Sequence, residues 1–219
     1  MVEQARVLMD EGNYEAAVPI LQEAADLGDA EGQTQLAICY SDGKGVEQDY
    51  SEAVKYYQLA ADQDYPKALY GLGILYDFGY GVEQDYEETV KYYRLAADQG
   101  FAMAQCNLGV CYNYGNGVEQ DYGMARNYCQ LAADHGDDMA QYNLGIYYYF
   151  GFGVEQDYSE AYRYFCLAAE QGYAEGCLQS ENAITWGLAW IRIWEPPRNG
   201  IRRHWMPDLS QETKKKLNI

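Results

Sequence analysis

Positive charge is the scarcest resource in this chain. Only 15 Lys and Arg stand against 34 Asp and Glu in 219 residues, for a net charge of -19. Such a surface repels phosphate backbones and anionic headgroups, which argues against nucleic acid and leaves a basic protein or peptide surface as the fitting partner. Long apolar runs are missing too: the longest, Ala183 to Trp194, is about twelve residues with Arg192 inside, short of the roughly 20 that span a bilayer. No transmembrane helix is expected. The opening residues Met1 to Gly12 carry Glu3, Asp10 and Glu11 and lack the basic flank and apolar core of a secretory signal. Histidine occurs twice, and His204 has no companion at ligand spacing.

Cysteine is present, but without order. The six, at 39, 106, 111, 129, 166 and 177, do not recur at one position of the pattern below, so no disulfide framework in register with it is expected. Cys39, Cys111 and Cys129 fall in core columns, and buried free thiols in a reducing compartment are the expectation. A cytoplasmic location follows as the expectation, with a secreted or periplasmic one if a precursor segment was removed.

What the chain does have is repetition. The hexapeptide Gly-Val-Glu-Gln-Asp-Tyr begins at Gly45, Gly81, Gly117 and Gly153, each 36 residues after the last. Self-similarity at that period marks a stacked repeat protein with an extended surface and no single deep pocket.

Aligning the units on the hexapeptide gives two amphipathic segments each. Helix A is expected over 29–41, 65–77, 101–113 and 137–149, with Leu36, Leu72, Leu108 and Leu144 in one column. Tyr40, Tyr76, Tyr112 and Tyr148 lie one turn further along the same face, and the stripe should be buried. Helix B is expected over 50–62 and from Tyr86, Tyr122 and Tyr158, with columns at Tyr56, Tyr92, Tyr128, Tyr164 and at Leu59, Leu95, Leu131, Leu167. Glycine beside the helix-A leucines, at 73, 109 and 145, costs about 1 kcal/mol against alanine in a helix, so a neighbour must crowd those sites. Asp49, Asp85, Asp121 and Asp157 suit N-caps, and Glu52, Glu88 and Glu160 complete the spacing of a capping box. Met124 stands in that place in the third unit, which should fray more easily.

Residues 1–28 read as an atypical capping unit with a short loop, in which Pro19 should bend or delay the helix. Register holds to about Gly176. Residues 173–219 carry seven basic and five acidic residues, all four tryptophans and three prolines, and read as a different segment. Trp186, Trp190 and Trp194 would share one helical face, as a cap on the last repeat or as a partner-binding or anchoring tail.

The residues Ala104, Leu108, Gly109, Tyr112, Gly115, Gly117, Val118, Asp121, Ala125, Tyr128, Leu131 and Ala132 resemble the Sel-one-like repeat, a relative of the tetratricopeptide repeat, over residues 29–172. The resemblance implies an all-α, right-handed α-solenoid superhelix of antiparallel helix pairs, with helix A lining the concave side. It also implies a non-catalytic scaffold or adaptor that binds a peptide or protein segment there. In a cysteine-rich branch of the family a disulfide joins helix B to the next helix A. Here the matching positions hold Ala97 and Gln105.

Candidate binding residues come from helix-A columns where the units disagree and from the aromatic fourth loop: Tyr70, Met103, Asn107, Met139, Tyr142, Asn143, Tyr149 and Phe150. Aromatic anchors suit a bound peptide, whereas loop-to-loop packing would use them as core. No catalytic, cofactor or metal residues are assigned, no cofactor is expected, and a monomer is expected. Ser41 and Lys44 satisfy the spacing of a serine acylation motif, but they fall in a glycine turn and its companion motifs are missing. Cys106, Cys111, Cys129 and His135 share one unit, yet Cys106 and Cys111, five apart on a helix, diverge by about 140° and make a poor chelate.

Overall fold

A computed structural model describes residues 1–171. These form ten α-helices in chain order: α1 Val2–Asp10, α2 Tyr14–Asp26, α3 Ala30–Asp42, α4 Tyr50–Ala61, α5 Pro66–Phe78, α6 Tyr86–Asp98, α7 Ala102–Tyr114, α8 Tyr122–Asp134, α9 Asp138–Phe150 and α10 Tyr158–Glu170. Each helix packs chiefly on its neighbours in sequence, most densely within the pairs α3–α4, α5–α6, α7–α8 and α9–α10, which is the arrangement of an α-solenoid. Helix A therefore starts one residue later than its expected bounds. The tryptophan tail and its proposed capping role lie outside the described residues.

The leucine column is the spine of the core: Leu36, Leu72, Leu108 and Leu144 are fully buried. The tyrosine column that shares its face is only half-buried. Each of those rings instead stacks on helix B of its own pair, Tyr40 on Tyr56, Tyr76 on Tyr92, Tyr112 on Tyr128 and Tyr148 on Tyr164, at centroid separations of 5.6 to 5.8 Å. The helix-B leucine column lies outside the core. Leu59, Leu95 and Leu131 are exposed, because each lies about 60° around the helix beyond the preceding tyrosine, outside the arc that Ala53, Tyr56, Tyr57, Ala60 and Ala61 turn inward.

The helical glycines have the expected steric cause, with helix-B side chains as the neighbours. A Cβ on Gly73 would lie 2.4 Å from the Tyr93 ring, and one on Gly145 would lie 2.4 Å from Phe165. At Gly109 the close atoms are Ala125 O and Cys129 Sγ, both at 3.0 Å.

The capping box does not form. Asp49, Asp85 and Asp157 each accept from two amides of the first turn, as at Ser51 N and Glu52 N for Asp49, but their own amides already donate to Tyr40 O, Tyr76 O and Tyr148 O. That leaves Glu52, Glu88 and Glu160 no amide to reach back to, and they pair with Lys55, Lys91 and Arg163 one turn on. Asp121 caps through one side-chain bond only, to Met124 N. At the N-terminal end α2 begins at Tyr14 and runs through Pro19 without a delayed start.

The loops join successive units. The first loop glycine ends helix A in the left-handed region, as at Gly79 with φ 71°. The second, also at positive φ, presses on the first residue of the preceding helix B: a Cβ on Gly81 would stand 2.6 Å from Tyr50 C and O. The recurring Gln48, Gln84, Gln120 and Gln156 donate to the carbonyls of Ser41, Asp77, Asn113 and Tyr149 at 2.6 to 2.7 Å, closing each loop.

Candidate functional site

Helix-A residues spaced i, i+4, i+7 and i+11 share one face. On α7 these are Met103, Asn107, Val110 and Tyr114, and on α9 they are Met139, Asn143, Ile146 and Phe150. The ends of this stripe are open to water: Met103 is 44% exposed, Tyr114 69% and Phe150 57%. Its middle is half-buried and engaged with the preceding unit. Asn107 donates to Tyr93 Oη at 3.3 Å and to Tyr70 Oη at 3.5 Å, and Asn143 Nδ2 lies 3.9 Å from Cys106 Sγ.

The preceding helix B presents the same tyrosine column to Gly71 and to Asn107, as Tyr57 and Tyr93, and the two residues meet it differently. A Cβ on Gly71 would stand 2.5 Å from the Tyr57 ring, whereas Asn107 meets the Tyr93 hydroxyl. Tyr70 belongs to the same packing, tilted against Tyr93 at 5.7 Å and Phe101 at 5.2 Å, with its hydroxyl held protonated by burial. Tyr142 tilts against Phe165 at 5.6 Å. Of the eight sequence-derived candidates, Met103 and Phe150 are exposed, while Tyr70, Asn107, Met139, Tyr142, Asn143 and Tyr149 are half-buried.

The aromatic loop residues form ladders between units. Tyr80 stacks on Tyr50 at 4.7 Å and Phe78 on Tyr80 at 5.5 Å. In the fourth unit Phe152 stacks on Tyr122 at 5.1 Å and Phe150 on Phe152 at 5.4 Å, and Tyr149 meets Phe150 and Tyr158 edge-on at 4.9 and 5.3 Å. Loop packing and exposure therefore coexist in the same rings.

Cys39, Cys106, Cys111 and Cys129 are buried free thiols. Burial pushes Cys39 up to about 11 and Cys111 up to about 12. Cys106 is raised further, by a hydrogen bond with Cys129 and by burial. No cluster of His, Cys, Asp or Glu suited to a metal occurs among the described residues. Ser41 lies in the last turn of α3, and the Lys44 ammonium is bonded to Asp42 at 2.8 Å, which raises its pKa, the reverse of what a lysine base requires. No described helix is long and apolar enough to cross a membrane.

A family model described as Sel1 repeat matches residues 30–65, 66–101, 102–137 and 138–173, the same units that the helix pairs and loop glycines define. The chain belongs to the Sel1 repeat family. Among solved structures, this Sel1 repeat chain is similar to a protective antigen of uropathogenic Escherichia coli strains with an SLR fold, at 35% identity and TM-score 0.72, over 80% of this chain and 38% of that one. It thus spans well under half the length of that relative. A Sel1 repeat protein from Oxalobacter formigenes matches at 33% identity and TM-score 0.73, over 78% of this chain and 73% of its own. A Sel1 repeat protein from Klebsiella pneumoniae, at 21% identity and TM-score 0.58 over 83% of this chain and 90% of its own, shares the fold. No curated protein sequence matches the chain. Sel1 repeat proteins are typically protein-interaction scaffolds without catalytic activity.

Proposed function

We infer that this protein is a non-catalytic scaffold that grips an extended segment of a partner protein along the concave face lined by α3, α5, α7 and α9. The observation that carries the reading is the helix-A stripe. While the leucine column beside it is sealed, the stripe keeps Met103, Tyr114 and Phe150 in water, where apolar side chains gain most from a partner. Met139, Asn143 and Asn107 supply the adaptable contacts between those anchors, and Tyr149 backs Phe150 from the loop side. Tyr70 and Tyr142 pack beneath the groove against Tyr93 and Phe165 of their own helix pairs.

The test is recovery of bound protein by an immobilised chain. Replacing Met103 and Phe150 together by Ser weakens recovery of the specific partner and leaves the circular dichroism melt nearly unchanged, because neither side chain fills the core. A control pair on the opposite exposed column, Leu59→Ser with Leu95→Ser, leaves recovery intact. Loss in the control pair and none in the helix-A pair would overturn the concave-face assignment. Loss only on deletion from Tyr173 would move the binding to the tail.

A further inference from the structure

One rung of the loop ladder differs from the others. In every unit the residue between the two loop glycines belongs beside the first tyrosine of the preceding helix B. Lys44 places Nζ 5.6 Å from the Tyr14 ring centroid, Tyr80 stacks on Tyr50 at 4.7 Å, and Phe152 stacks on Tyr122 at 5.1 Å. The third unit has Asn116 there, which offers neither a ring nor a cation to Tyr86. The loop still comes close, since a Cβ on Gly117 would overlap the Tyr86 carbonyl, 2.0 Å away. Yet Tyr86 has no ring or cation partner among the described residues, and it is 39% exposed. Its hydroxyl is fixed by Gln84 Nε2 at 3.1 Å, so the ring is held in place.

The first unit displays what such a ring accepts. Lys44 sits over Tyr14 with its ammonium bonded to the Asp42 carboxylate, an arrangement of one ring and one carboxylate around one cation. The same chemistry recurs on helix B, with Lys55 over Tyr56, Lys91 over Tyr92 and Arg163 over Tyr164, each cation also paired to a glutamate. The two loops that meet at Tyr86, the one leading into it and the one whose Gly117 presses on it, carry Glu83 and Glu119, which are exposed and have no cationic partner among the described residues. A ring, free carboxylates on the two adjoining loops and a net charge of -19 are complementary to one kind of visitor.

We propose that the loop edge at Tyr86, Asn116, Glu83 and Glu119, adjoining the Tyr114 end of the helix-A stripe, is a second binding surface that takes an extended arginine-rich segment of a partner protein. One guanidinium lies over the Tyr86 ring, and flanking basic residues pair with the loop glutamates.

The experiment uses the full chain and a fluorescein-labelled synthetic peptide of alternating arginine and serine, read by anisotropy at about 0.15 M salt, where screening suppresses distant charge attraction. Asn116→Tyr installs the ring that Tyr80 supplies in the second unit, covering Tyr86 without disturbing the fold. It weakens the peptide by about two- to fivefold, the worth of one cation on an exposed ring, at an unchanged melting temperature. Glu83→Gln with Glu119→Gln weakens it further, and a glutamate–serine peptide does not bind. The Met103→Ser, Phe150→Ser pair binds the arginine peptide normally. Equal affinity of the unmodified chain and Asn116→Tyr, or equal binding of the two peptides, would overturn the proposal. Loss confined to the Met103, Phe150 pair would place the basic segment on helix A, upholding the scaffold reading while removing this site.

Discussion

His135→Gln should stabilise this protein, although it changes an exposed side chain far from any hydrophobic contact. At the foot of three helix pairs a glutamine follows helix B. Gln63 donates to Gln33 Oε1 at 2.8 Å and to Leu59 O at 3.1 Å, and Gln171 donates to Gln141 Oε1 at 2.8 Å. In the second pair the helix-A position holds Leu69, and Gln99 turns to Asp64 O at 3.0 Å. The third pair mixes the patterns badly. Gln105 is 4% exposed and spends its amide on Ala97 O at 3.2 Å, while His135 uses Nδ1 on Leu131 O at 2.8 Å, leaving Gln105 Oε1 buried and without a hydrogen bond. Glutamine at 135 would make both bonds that Gln63 makes. An intramolecular hydrogen bond to a buried acceptor contributes about 0.5 to 1.5 kcal/mol, so a gain of about 1 kcal/mol is expected, or about 2 to 4 °C in melting temperature for a chain of this length. Urea denaturation followed by circular dichroism measures it. The decisive comparison is the same substitution in a Gln105→Leu background, which copies Leu69 and removes the acceptor. There His135→Gln should gain nothing. A gain of equal size in both backgrounds, or none in the parent, would refute the hydrogen-bond account.

Gly73→Ala sets propensity against packing. Helix propensity alone promises a gain of about 1 kcal/mol, but the new Cβ would sit 2.4 Å from the Tyr93 ring, which is 1% exposed and cannot retreat, so a net loss of about 1 to 3 kcal/mol is expected in the same denaturation assay. Alkaline pH should unfold the protein by acting on its core. Burial raises Cys39 to about 11 and Cys111 to about 12, above the usual thiol range. The unfolded chain releases those protons first, so stability is intact below about pH 8.5 and falls as pH climbs toward 11 to 12. The urea midpoint should drop across that interval, less steeply after Cys39→Ala with Cys111→Ala. An unchanged slope would exclude these thiols as the cause.

The residues that act within a single helix or turn were readable from the sequence. The 36-residue period, the helix limits to within a residue, the Leu36 to Leu144 spine, the Asp N-caps and the left-handed glycines all follow from local spacing. Side-chain direction in a helix is fixed by position, and a cap needs only its own first turn. Contacts between units were decided by the tertiary structure, because one column cannot reveal which side chain another helix presents to it. Thus Gly71 makes sense only against Tyr57, Gly117 only against Tyr86, and the exposure of Leu59 only once the arc of α4 that meets α3 and α5 is known. The candidate site divides the same way. Met103 and Phe150 are exposed, whereas Asn107 and Asn143 are engaged by Tyr70, Tyr93 and Cys106 of the preceding repeat, contacts that spacing along one helix does not reveal.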